Sequence, residues 1–363
     1  MRNLSRRDVL TFGAAGAIAT CAGQGFAAAA PPLKVALALV SPAAEVGWTK
    51  QQTLGVAAIK QALGDAVEIS IVDNVFQPQD AERVFRNLAS SGHQLIYGSS
   101  FSHGLATARV APQFPLVAFE CCAGTKILAN LGAFEARYHE GAYLAGIAAA
   151  KSTKSGKLGF IGGFPIPDIV GPANAFLLGA QSVKPAISCT IIFMNSWSDP
   201  GKEKEATLAL AAQNCDAVAA MTDGPAAVQT AEQAGIWGIG YASDMRKFAP
   251  TRQLTSLTLD WRSIYVQDAK DVKGGVWKPA SRWQGLKEGV VKMAPYGDSL
   301  NAEARTLLDK NEAAIKSGTL QPFSGEIRDQ SDAVRVRAGA VLNEVEIRSI
   351  NWLVAGMQGR MKG

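Results

Sequence analysis

The sequence predicts an α/β protein made of two doubly wound parallel-sheet lobes. Three observations carry that expectation. Apolar runs of strand length alternate with stretches of helical spacing, the pattern of parallel βαβ units under right-handed crossover. The alternation runs once to Phe119 and restarts at Tyr138. The length of 363 residues exceeds one core at the usual ~150 residues per domain.

In the first series, Leu33–Leu39 reads as a strand and Thr49–Leu63 as a helix through Leu54, Ala57, Ala58 and Ala62. Glu68–Val72 is a strand, Pro78–Ser91 a helix stopped by Gly92, and Leu95–Tyr97 a strand. A helix over 102–111 and a strand at Leu116–Phe119 follow. The second series opens with a small-residue helix at Tyr138–Ala150, then the polar linker Lys151–Gly156. Strands follow at 157–161, 187–194, 217–220 and 238–241, alternating with helices at 172–182, 202–213 and 226–234. Beyond Leu254 the pattern changes: a helix at 261–274, a strand-like Gly289–Met293 and a helix at 302–317. This part is too small for its own core. The expected division is an export signal at 1–30, a first lobe at 31–150, a second at 151–256, and a return segment at 257–363 that completes the lobes and hinge, mainly in the first lobe.

The first thirty residues carry a charged start, a short apolar core from Thr11 to Ala19 and the small-residue stretch Phe26–Ala30, the pattern of an export signal. Ser5-Arg6-Arg7, with Val9-Leu10 beyond, points to twin-arginine export and a periplasmic location. A chance pair of arginines in a Sec signal is the plainer alternative. Cys21 is a weak lipidation candidate, because Thr20 precedes it where Gly or Ala is usual. No apolar run reaches the ~18 residues of a membrane span.

Net charge is +5, and Arg2, Arg6 and Arg7 against Asp8 supply +2 of it, so the remainder is nearly neutral. No basic stripe with interleaved aromatics appears, and nucleic acid is not an expected partner. Adjacent Cys121-Cys122 cannot bridge each other, and Cys189 and Cys215 read as small buried residues. There is no C-x-x-C, and His93, His103 and His139 are scattered, so neither metal nor cofactor is expected. Gly159-Phe-Ile-Gly-Gly163 lacks dinucleotide spacing, no P-loop is present, and Gly98-Ser-Ser-Phe-Ser lacks the last glycine of a nucleophile elbow. The expectation is a binding protein, not an enzyme.

Ligands of open α/β sheets sit beyond the carboxyl ends of the strands. Trp48, Glu120, Trp197, Asp223 and Asp244 all follow predicted strands, and Asp260-Trp261 falls near the return to the first lobe. Aromatics that stack on a flat ring, with carboxylates accepting from ring amines or ribose hydroxyls, are what a purine pocket needs. Each residue has a plainer reading: a Trp in a loop packs, Asp199 caps the helix after it, Asp223 before Gly224-Pro225 makes a turn, and Asp244 caps 245–249. Recurrence at one topological place in both series favours a binding site.

At these same positions the sequence resembles the basic membrane protein family of ABC-transporter substrate-binding proteins. The resemblance rests on Gly47-Trp48-Thr49, Val117–Glu120, Glu140–Gly146, Gly163–Pro167, Asn174–Phe176, Trp197–Pro200, Thr222-Asp223, Ala242–Met245 and Leu254–Ser256. It continues through Gly285–Gly289, Met293–Gly297 and Asn351-Trp352. It implies a type I periplasmic-binding fold, two lobes joined by a three-strand hinge, closure on a ligand and delivery to a membrane permease. The subgroup it most resembles implies a purine base or nucleoside, and in that family the place of Asp244 holds an acidic residue that meets the ligand. A monomer is expected. The sequence departs from the subgroup at Lys50, Gln52, Cys121, Gly171-Pro172 and Ala220-Met221. The alternative function is an exported sensing module of the same fold that signals to a membrane receptor.

Overall fold

The structure, a computed structural model, describes residues 31–361. The expected export signal, Arg6-Arg7 and Cys21 lie outside the described residues. In the first series the elements are β1 (Leu33–Ala38), α1 (Trp48–Leu63), β2 (Val67–Val72), α2 (Pro78–Ser90), β3 (Leu95–Gly98), α3 (Gly104–Val110), β4 (Ala118–Cys122) and β5 (Leu131–Ala136). The second runs α4 (Tyr138–Ser152), β6 (Lys157–Gly162), α5 (Pro167–Gln181), β7 (Ser188–Phe193), α6 (Pro200–Ala212), β8 (Ala217–Met221), α7 (Ala226–Ala234), β9 (Trp237–Ala242) and β10 (Gln253–Leu259). The return segment holds α8 (Arg262–Lys273), β11 (Ser281–Gln284), β12 (Val291–Met293), α9 (Ala302–Ser317), β13 (Ile327–Arg328), β14 (Val334–Val336), α10 (Glu344–Ile347) and β15 (Met357–Gln358).

Among the described residues, two large sheets form, ordered β11-β5-β4-β3-β1-β2 and β12-β10-β9-β8-β6-β7-β15. Every pairing in them is parallel except β12 against β10. The central strands are buried along nearly their whole length, as parallel strands covered by helices on both faces must be. The return segment completes both sheets, giving β11 to the first and β12 and β15 to the second.

The chain crosses between lobes at Arg137, at Asp260-Trp261 and between β11 and β12. The first crossing precedes the 150/151 boundary drawn from sequence, because α4 packs on α5 of the second lobe. Their backbones nearly touch: a Cβ on Gly146 would lie 1.9 Å from the Phe176 carbonyl oxygen, and one on Gly179 2.0 Å from that of Tyr143. The crossings are tied together. Arg137 pairs with Glu140 at 2.5 Å and with Glu288 at 2.5 Å, and donates to the Trp283 carbonyl at 2.6 Å. The Leu286 and Asp260 amides add bonds to Glu140 and to the Val290 carbonyl.

Candidate functional site

A cavity of ≈ 500 Å³, counting its open mouth, lies between the lobes. Val40, Trp48, Ser100, Phe101 and Ala123 line it from the first lobe, facing Ile166, Asp168, Ile169, Trp197, Met221, Thr222, Asp223 and Tyr241 of the second, with Tyr138 at the crossing. Most of these follow the carboxyl ends of parallel strands, where the topology places a ligand crevice.

Two tryptophans reach the cavity from opposite lobes. Trp48 begins α1, and its indole N–H donates to the Ser99 carbonyl at 2.6 Å. Its ring lies 6.3 Å from that of Tyr241 at an interplanar angle of 16°. Trp197 stands in the β7–α6 loop, edge-on to Phe164 at 4.8 Å, and its indole N–H donates across the lobes to the Ser102 hydroxyl at 3.3 Å. Asp199 caps α6 through the Lys202 amide at 3.0 Å, as its plainer reading held.

Asp223 joins cavity and closure. The cap residue of α1 is Gly47, which has no side chain to satisfy the first amides of the helix. The second lobe supplies the acceptors instead. Asp223 Oδ1 accepts from the Thr49 amide at 3.1 Å and its hydroxyl at 3.4 Å, and Ser243 Oγ accepts from the Gly47 amide at 2.9 Å and from the Gln51 side chain at 2.7 Å. The positive end of the helix dipole thus faces a carboxylate. Gly47 is needed here: its φ is +89°, and a Cβ would lie 2.6 Å from Asp223 Oδ1. Burial pushes Asp223 up to about 6 despite those hydrogen bonds. Its Oδ2 is buried with no hydrogen-bond partner among the described residues. Behind it, burial lifts Glu203 to about 7, with Oε2 on the Ala227 amide at 3.2 Å.

Of the seven residues the sequence singled out, Trp48, Trp197 and Asp223 meet at this cavity, and the other four lie elsewhere. Glu120 points into the first lobe, 1% exposed, where it pairs with Arg282 at 2.9 Å and accepts from the Trp277 indole at 3.1 Å. Arg282 also grips Asp268 at 2.5 and 3.0 Å. Asp244 accepts from the Arg246 amide at 3.0 Å and the Gln253 side chain at 2.9 Å, the turn-capping role of its plainer reading. Asp260 is held by Arg262 and Lys292, which depress its pKa, at the crossing rather than in the cavity. Trp261 is fully buried behind Trp48, its ring edge-on at 6.0 Å, and supports the wall from outside.

Asp168 is the lining carboxylate that sequence reasoning missed. It occupies the second position of α5, after Pro167, and adjoins a smaller pocket that holds Glu135, His139, Trp283 and Arg348. The signal was Ile166-Pro167-Asp168, a helix start, obscured by Pro172, from which the helix was drawn.

No described helix is long and apolar enough to cross a membrane, and no described cluster of His, Cys, Asp and Glu could hold a metal ion. The comparisons with known proteins agree with this geometry. The family model described as ABC transporter substrate-binding protein PnrA-like matches residues 33–321. The chain is 41% identical over 347 residues to a purine-binding protein of Brucella abortus, covering 95% of this chain and 99% of that one. It is 31% identical over 286 residues to a putative ABC transporter glucose-binding protein of Haloferax volcanii, covering 79% and 73%. A solute-binding protein structure from Aeropyrum pernix superposes with a TM-score of 0.70 at 17% identity, over 82% of this chain and 93% of that one, which fixes the fold as the two-lobed type I periplasmic-binding architecture. The chain belongs to the Bmp family of PnrA-like ABC-transporter substrate-binding proteins.

Proposed function

We propose that the protein is an exported, non-enzymatic receptor that binds one purine in the cavity between its lobes and hands it to the permease of an ABC importer. The observation that carries the ligand class is the pairing of Trp48 and Trp197, one from each lobe, with Asp168 and Asp223 in an otherwise largely apolar lining. Flat rings stack on indoles, and carboxylates accept their N–H groups. The Brucella relative is named for purine binding, and a Lactococcus lactis relative, 35% identical over 147 residues, for nucleoside binding. A sugar, named for the Haloferax relative, needs a polar partner for each hydroxyl, and Val40, Ile166, Ile169 and Met221 offer none. Closure by Asp223 and Ser243 on α1 suits capture, and the periplasm is where such a receptor works. The test is mass spectrometry of small molecules released from purified, denatured protein, followed by calorimetry with purines and with glucose. Release of a purine and its tight rebinding is the expected result; tight glucose binding with no purine binding would overturn the reading.

A further inference from the structure

We propose that residues 343–358 form a non-covalent fourth tie between the lobes, and that Arg348 within them is a positioning residue that limits how far the cleft opens.

The segment is fastened to the second lobe. β15 pairs with β7, Met357 opposite Cys189, and the Cys189 amide donates to the Gly356 carbonyl at 3.1 Å. Asn174 of α5, fully buried, donates to the Trp352 carbonyl at 2.8 Å and accepts from the Val354 amide at 3.0 Å. Its side-chain amide thus serves the segment as a strand partner would. Ile350, Leu353 and Val354 are buried as well. Leaving the second lobe would expose three apolar side chains and strand a buried amide, so the segment moves with that lobe.

Toward the first lobe it extends one polar side chain. Among the described residues, every hydrogen bond and ion pair from residues 343–358 to the first lobe comes from Arg348. Its guanidinium pairs with Glu135 of β5 at 3.1 Å and donates to the Ser281 hydroxyl of β11 at 3.3 Å. Glu344 of α10 holds the same guanidinium at 3.1 Å and steadies its approach. Both grips lie beside crossings: Glu135 stands just before Arg137, and Ser281 begins the strand that leads into the third crossing. Arg348 therefore spans the lobes at the hinge, away from the cavity mouth.

This tie and those at the cavity respond differently to opening. The bonds from Trp197 to Ser102, from Thr49 to Asp223 and from Gly47 to Ser243 join the two walls of the cleft. When the walls part, water can take the place of each partner. Glu135 is 5% exposed. Losing the guanidinium would leave its carboxylate buried without a cation, which is strongly destabilising. The pair therefore survives opening, and the lobes turn only so far as Arg348 stays within reach of Glu135. A tie that holds while the others break acts as a stop. Lobes kept within a small angle have a short closing motion to make once a ligand enters. Residues 343–358 lie beyond the 33–321 matched by the family model, so the stop is an addition to the matched architecture.

The experiment measures the opening directly, on protein freed of bound small molecules, and so stands whichever ligand the cavity takes. Gln79→Cys in the first lobe and Lys204→Cys in the second give two exposed sites for spin labels, while the described cysteines of the chain are buried. The distance distribution between the labels is read by pulsed electron paramagnetic resonance. In the parent it should be narrow. With Arg348→Met it should broaden and extend to separations several ångströms longer. Arg348→Met combined with Glu135→Gln leaves no charge buried alone, and should show the same broadening; it also carries the test if Arg348→Met by itself fails to fold. A parental distribution in Arg348→Met would overturn the proposal. So would a return to the parental distribution in the double variant, because the broadening would then come from an unpaired carboxylate and not from a lost tie.

Discussion

Replacing Arg282 by Met tests whether Glu120 serves the fold or the ligand. The guanidinium contacts Glu120 at 2.9 Å and Asp268 at 2.5 Å, and both carboxylates are nearly inaccessible. Met fills much of the space of the Arg stem but leaves two acids buried without a cation. Removing one partner from a buried ion pair costs about 3–5 kcal/mol. At ~2.1 cal/mol/K of unfolding entropy per residue, a chain this long shifts by about 1.4 °C per kcal/mol, so the melting temperature should drop by roughly 4–7 °C. The pH dependence carries the sign. Burial, reinforced by Asp268, lifts Glu120 to about 8 even beside Arg282. Its folded value therefore lies above its unfolded one, so its contribution to stability is complete below about 4.5 and is lost as pH rises through about 8. Without the guanidinium the charge is harder still to hold, and the deficit of the variant should widen between pH 5 and pH 8. Scanning calorimetry of both proteins at the two pH values reads this directly. A deficit under 1 kcal/mol, or one no larger at pH 8 than at pH 5, would refute the argument. Ligand affinity at 20 °C, where both proteins are folded, should be unchanged; a large loss there would return Glu120 to the ligand.

Trp197→Ala should weaken purine binding by about tenfold or more, at ~1–3 kcal/mol per stacked base, with little effect on the melting temperature of the empty protein. Gly47→Ala should cost affinity by roughly 5- to 150-fold, because φ of +89° strains any Cβ and that Cβ meets Asp223 Oδ1; small-angle scattering with saturating ligand should show a more open particle than the parent. Asp244→Asn should leave purine affinity within twofold, since Asn can accept from the Arg246 amide as Asp does; a tenfold loss would restore its ligand role. Cys121, Cys122, Cys189 and Cys215 are buried and free, and burial pushes the Cys121 thiol up to about 12, so a thiol reagent at pH 8 should modify none of them until denaturant is added.

The alternation of strand and helix was legible because parallel strands buried on both faces are written as unbroken apolar runs. α7 falls on its expected residues, and most other elements within a few. β5 escaped notice because Gly132 and Glu135 interrupt its apolar run, and Glu135 is tolerated there only through Arg348, far along the chain. The fourth strand was expected at 116–119 and lies at 118–122, because Asn130 ties the carbonyls of Ala111, Phe114 and Val117 into a turn. α5 was expected from Pro172 but begins at Pro167, with Pro172 accommodated inside it. In the site, the rule that ligands sit at strand ends found Trp48, Trp197 and Asp223. It also gathered Glu120, Asp244 and Asp260, since a carboxylate after a strand looks the same whether it faces a cavity, a turn or an arginine. Only the partners separate these cases, and the partners are remote in sequence.

The two sheets are completed out of order, and that shapes how the chain reaches its native state. Ser281 of β11 pairs with Ala133 of β5, and Met357 of β15 with Cys189 of β7. A nascent chain that has emerged as far as β10 carries five of the six strands of one sheet and five of the seven of the other, but leaves an outer side of β5 and of β7 bare. Such edges are templates for pairing with other chains. Contacts this distant in sequence also form slowly, because the intervening loop must be closed first. The vulnerable interval thus lasts until the final residues are made, whichever route the chain then takes. A molecule truncated just before β15 would keep every residue that lines the cavity and still present an open strand, so its fate would be set by association rather than by loss of binding.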